Sequence, residues 1–190
     1  MLKQVSWFRR SRLALLGSVL VLGGTVMTAQ SAEAPPPFKK DLSIDELMEA
    51  IVMPSADAIW KSTQVDVTPQ GEKSSAPTND AEWLALRHQA VSLVAVTELL
   101  LIPNLKVAKD PKSTKHNEGE LSPVEITKIY KAAIPAFQAH ATALHALALK
   151  ALAAIDKRDL DAISEVGGDL DAECEACHLQ FWYPNQAKQP

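Results

Sequence analysis

Cysteine is scarce in this 190-residue chain: there are two, Cys174 and Cys177, both close to the C-terminus. They leave room for at most one disulfide. Excess charge is scarce too, with 19 basic against 23 acidic residues and no long basic run outside the N-terminus. Nothing in that balance offers a nucleic-acid surface. No Ser-His-Asp set, paired carboxylates or phosphate loop stands out, and the histidines form no i, i+4 pair of the kind that holds a metal on a helix. An enzyme is therefore not the expected class. Alternating strand patterns and internal repeats are likewise missing. What the chain does have is 47% apolar residues, ample for the core of one domain.

The first thirty residues differ from the rest. Lys3, Arg9, Arg10 and Arg12 precede an apolar run from Leu13 to Val26, and small residues follow. That is the grammar of a secretory signal. The run falls short of the roughly 20 residues that span a bilayer, and Gly17, Gly23 and Gly24 weaken it as an anchor. We expect a signal peptide over 1–31, removed after Ser31 or Ala34, with an uncleaved anchor as the alternative. A periplasmic protein without stable membrane insertion follows.

Four helical patterns come next. Residues 32–41 hold a stiff Pro35-Pro36-Pro37 leader, and Ser43 with Glu46 makes a capping box for a helix running to about Lys61. Ile44, Leu47, Met48, Ile51, Ser55 and Ile59 share its stripe, and Pro54 predicts a kink or local break. Residues 63–79 read as a connection. A second helix is expected from an Asp80 cap to Pro103, followed by exposed loop to about Leu121. Ser122-Pro123-Val124-Glu125 starts a third, long helix, which Pro135 should bend without ending. The last helix starts at an Asp159 cap and stops by Pro184. The expected fold is all-α, an antiparallel four-helix bundle over 42–184, with 185–190 as a tail.

In that last helix lies Cys174-Glu175-Ala176-Cys177-His178. Two thiols separated by two residues can each add to a vinyl group of a porphyrin, and the histidine after the second can supply an imidazole to the iron. On a helix, residues three and four apart reach one side, so all three groups face together. Leu160, Ile163, Val166, Leu170 and Phe181 extend the same stripe. Gly167-Gly168 within it either lets a ring or a backbone come close or breaks the helix.

With the motif in the final helix and four helices in all, the chain resembles the cytochrome c-prime and cytochrome c-556 family. Residues 47–60, which run Leu-Met-Glu-Ala-Ile-Val-Met-Pro-Ser-Ala-Asp-Ala-Ile-Trp, and Phe181-Trp182-Tyr183-Pro184 add to the likeness. The resemblance implies a periplasmic haem protein with one haem c bound through Cys174 and Cys177, and His178 as fifth iron ligand. It also implies homodimers as a common state. Within the family the sixth position is either a methionine from the first helix, suiting electron transfer, or open, suiting small gases such as nitric oxide or carbon monoxide.

Met48 falls on the first-helix stripe and is the expected sixth ligand, whereas Met53, five residues on, should point elsewhere unless Pro54 redirects it. Arg87 lies near the inner stripe of the second helix, where it pairs with a haem propionate or simply snorkels. His140 is a weaker candidate for bis-histidine ligation. Trp60, Trp83, Tyr130 and Phe137 are large enough to wall a porphyrin or to be plain core. The leading function is one-electron transfer to a redox partner that the sequence does not name. Gas binding is its rival, and a thiol-disulfide oxidoreductase or a zinc site on the two cysteines ranks below both.

Overall fold

The computed structural model describes residues 41–110, 112 and 119–186. The expected signal peptide, the leader up to residue 40, His116 and the tail from residue 187 lie outside them. The described chain is mostly helical: α1 Ile44–Leu47, a π-helical turn Met48–Val52, α2 Met53–Lys61, α3 Asp80–Leu100, α4 Pro123–Ala132, α5 Ile134–Asp156 and α6 Leu160–Phe181. Among the described residues no helix is long and apolar enough to cross a membrane.

Caps set the helix starts. Ser43 and Ser122 each form a reciprocal capping box, with Glu46 and Glu125, which satisfies two otherwise orphaned amides per helix. Asp159 caps α6 by accepting from the Ala162 amide. Asn79, rather than the expected Asp80, caps α3. Asp80 sits in the first turn instead and pairs with Arg158 at 2.6 Å.

The apolar stripes meet as their spacing requires. α3 packs along α5, α5 along α6, and α2 against both α3 and α6. Phe137, Phe181, Ile59, Leu93, Ile163 and Leu170 are among the fully buried side chains at the centre. α3 and α5 run antiparallel, as the pairs Arg87–Asp156 and Thr97–His145 show. The loop after α3 closes over the start of α1, where the Ile44 and Asp45 amides donate to the carbonyls of Lys106 and Val107.

Two local features depart from the sequence reading. Residues expected as plain connection contain a hairpin, β1 Val65–Thr68 paired antiparallel with β2 Gly71–Ser74. Every residue of both strands is exposed, so the short alternation Val65-Asp66-Val67-Thr68 buries no face against a core. Gly71 supplies φ +117° at the turn, a conformation that glycine adopts without strain.

Pro135 ends the third helix rather than bending it. Ala133, at φ −136° and ψ 37°, breaks the chain between α4 and α5, and Pro135 then occupies the first turn of α5. There its missing N–H costs nothing, whereas mid-helix it would clash with the Lys131 carbonyl.

Pro54 acts differently again. It has no N–H to offer the Ala50 carbonyl, and the helix widens just before it so that the Met53 amide donates to the Met48 carbonyl. The chain stays helical through the proline, and the five-residue turn before it is the form that the expected kink or local break takes.

Candidate functional site

Cys174, Cys177 and His178 lie in the C-terminal third of α6 and border one apolar cavity. It has a cavity volume of about 90 Å³, several times what one water molecule needs. Met48, Val52, Met53, Ala56 and Trp60 line it from the first helical stretch, and Phe137, His140, Ala141 and Leu144 from α5. Protein interiors are close-packed, with few voids larger than a water molecule. An apolar hollow at this motif is therefore unfilled space beside the two thiols and the imidazole.

The electrostatics keep the two thiols neutral. Burial, then Asp171 and Glu173, push Cys174 up to about 11; burial, then Glu173 and Cys174, push Cys177 up to about 12. Both are free thiols inside a helix rather than at its N-terminus. A dithiol oxidoreductase needs the opposite shift, because the thiolate is its nucleophile. Burial also lowers the His178 pKa, against the opposing pull of Glu175 and Glu120, and so favours the neutral imidazole that ligates metals.

The chain after α6 folds back over His178. Its carbonyl accepts from the Trp182 and Tyr183 amides, and the two aromatic rings lie 5.7 Å from the imidazole. Tyr183 Oη donates to Glu175 Oε2 at 2.7 Å, and the Trp182 carbonyl accepts from the Leu121 amide at 2.8 Å. These contacts hold two aromatic rings beside the imidazole.

Met48 is half-buried on the cavity wall, as expected of it. Met53 is there as well, the outcome expected only if Pro54 redirected it. Bonding from residue i+5 back to residue i stacks the two positions, so the π turn carries Met53 round to the Met48 side.

Arg87 is not at this site. Its Nε donates to Asp156 Oδ1 at 2.7 Å, with both side chains nearly half exposed. His140, on the cavity wall, lies about 24 Å back along α5 from Asp156 at 1.5 Å per residue. The propionate reading of Arg87 is therefore corrected to a surface ion pair. The arginine belongs to the far end of the α3–α5 seam.

His140 borders the cavity with both ring nitrogens engaged: Nδ1 to Glu173 Oε1 at 2.6 Å and Nε2 to Gln180 Oε1 at 2.8 Å. In this arrangement both nitrogens are taken up by polar side chains of α6. Glu173 and Gln180 escaped the sequence reading, because side chains that orient a histidine from a neighbouring helix carry no spacing signal.

Of the four candidate aromatics, Trp60 and Phe137 wall the cavity. Tyr130 supports Phe137 edge-on from the core, and Trp83 lies under the Arg158 guanidinium. Trp60 owes its place to a glycine: its Nε1 donates to the Gly167 carbonyl at 2.8 Å, and a β-carbon at Gly167 would lie 3.3 Å from Trp60 Cδ1. Of the two roles open to the glycine pair, Gly167 thus has the first, the close approach of a ring, and α6 runs unbroken through both. Gly168, by contrast, faces open space. We expect Gly168→Ala to stabilise the protein by about 1 kcal/mol through helix propensity, and Gly167→Ala to return distinctly less. Urea midpoints check this, and equal gains would contradict the ring contact.

Among the described residues, no group of three or more His, Cys, Asp and Glu is placed to hold a metal ion. The zinc reading therefore has no donor set of its own in that part of the chain. Searches of family models, curated proteins and solved structures return no match to this chain.

Proposed function

We propose that this is an exported c-type cytochrome that carries one electron, built as an antiparallel four-helix bundle like the cytochrome c-prime and c-556 family that its sequence resembles. The observation that carries the reading is the meeting of Cys174, Cys177, His178 and Met48 on one apolar cavity. Those residues come from opposite ends of the sequence, and an ordinary core has no need of two thiols, an imidazole and a thioether around unfilled space.

The donor set fits haem c. Cys174 and Cys177 would hold the porphyrin through thioether links, and His178 and Met48 would be the axial ligands. The haem supplies an iron that cycles between two oxidation states. The protein's contribution is positional and electrostatic. Trp60 and Phe137 exclude water from the apolar walls, and the Trp182–Tyr183 fold-back packs two rings beside His178. Burial keeps that imidazole neutral. Methionine on the sixth position favours the reduced state and raises the potential, as an electron carrier requires.

Gas binding is the rival reading, in which Met48 merely packs. The reduced absorption spectrum of the mature wild-type protein, with and without carbon monoxide, separates the two. We expect a low-spin c-type spectrum that carbon monoxide leaves unchanged. A prompt shift on adding the gas would mean an open iron and would favour the rival.

A further inference from the structure

We propose that Met53 is a second thioether serving the same ligand position as Met48, so that the cavity keeps a methionine donor when Met48 leaves. This rests on the haem reading above and deepens it.

The first support is where the two methionines lie. The apolar cavity adjoins a wider, more polar cleft whose other walls include Asp45, Glu49 and Glu120. The residues that border both spaces are Met48, Met53 and His178. The seam between the dry side and the wet side is thus made of two thioethers and an imidazole, the donor types that hold redox-active iron and copper. The carboxylates on the wet side are hard oxygen donors, which suit hard cations rather than a soft site.

The second support is how Met53 reaches that seam. At 100° per residue it would face away from Met48. Pro54 and the five-residue turn before it bring the pair onto one side. Single π turns of this kind recur at functional sites, because they re-aim a side chain without ending the helix. Packing does not explain the placement, since Met53 is 55% exposed and fills no part of the core. An exposed, unbranched side chain with three rotatable bonds can swing inward, and the half-buried Met48 is the resident donor in this arrangement.

The test uses the full-length precursor expressed in cells that attach haem, with Met48→Leu, Met53→Leu and the double variant purified as mature holoprotein. Leucine conserves volume, so the fold is retained, and circular dichroism with the haem-to-protein ratio confirms it. Met48→Leu is expected to stay low-spin and closed to carbon monoxide, with its potential lowered because the replacement donor is nearer solvent. Met53→Leu should leave the resting spectrum unchanged. Only the double variant should turn high-spin and bind the gas. If Met48→Leu alone binds carbon monoxide as readily as the double variant, Met53 is not a donor and the inference falls. If all three variants are as closed as wild type, neither methionine ligates and the Met48 assignment falls with it. Absence of covalent haem from every protein, wild type included, would overturn the haem reading itself.

Discussion

A variant carrying both Cys174→Ser and Cys177→Ser is expected to retain no haem after acid-acetone extraction, whereas either single substitution keeps the colour through the remaining thioether. The hydroxyl of serine is a far weaker nucleophile than sulfur and forms no link to a vinyl group. The expectation depends on both cysteines bordering the same space, and they do: three apart on α6, they line one cavity together with His178. Serine at two partly buried positions costs about 1–3 kcal/mol for each hydroxyl left without a partner, so circular dichroism of the double variant belongs in the experiment. Colour that survives extraction in the double variant would contradict covalent attachment at these residues. Loss of colour in both singles would mean that the two links do not form independently.

The second large effect is on stability. Phe137 is 2% exposed, stands edge-on to Tyr130 at 5.0 Å and to Phe181 at 5.6 Å, and forms part of the cavity wall. Phe137→Ala removes a full aromatic burial next to a space that is already hollow, so the surroundings have little with which to refill it. We expect a loss of about 3–5 kcal/mol. At roughly 2–4 °C per kcal/mol for a domain of this size, the melting temperature should fall by on the order of 10 °C or more. Val124→Ala, at a 45% exposed helix position, is the control and should stay within about 0.5 kcal/mol of wild type. Similar melting temperatures for the two variants would mean that Phe137 does not anchor α5 against α4 and α6.

The parts of the fold that are legible in the sequence are those specified locally. Capping boxes at Ser43 and Ser122, the Asp159 cap and the apolar stripes lead directly to α1, α4 and α6, because each depends on residues within a few positions of one another. The departures arise where two local rules compete. Pro54 and Pro135 are the same residue type in similar helical patterns, yet one widens a turn and the other starts a new helix. What differs is the neighbouring packing, which a single sequence does not display. The hairpin at 65–74 buries no face, and its one alternating stretch, Val65 to Thr68, is too short to stand out among the turn residues around it.

The site divides in the same way. Cys174, Cys177 and His178 are legible because their chemistry and their helical spacing coincide, and Met48 because it lies on the stripe of a well-patterned helix. Met53 is hidden by the assumption of a regular 3.6-residue turn. Arg87 is misplaced for a different reason: a position near the inner stripe neither buries a long side chain nor says which end of a 21-residue helix meets the cavity. The pairing of His140 with Glu173 and Gln180 needs the register of α5 against α6, which only the packed structure supplies.

Covalent attachment is tested most directly by the intact mass of the mature protein, purified from cells competent to install c-type haem, with its absorption spectrum taken on the same sample. The account predicts the mass of the processed polypeptide plus one haem, together with a Soret band. A mass equal to the polypeptide alone, with no Soret band, would contradict it.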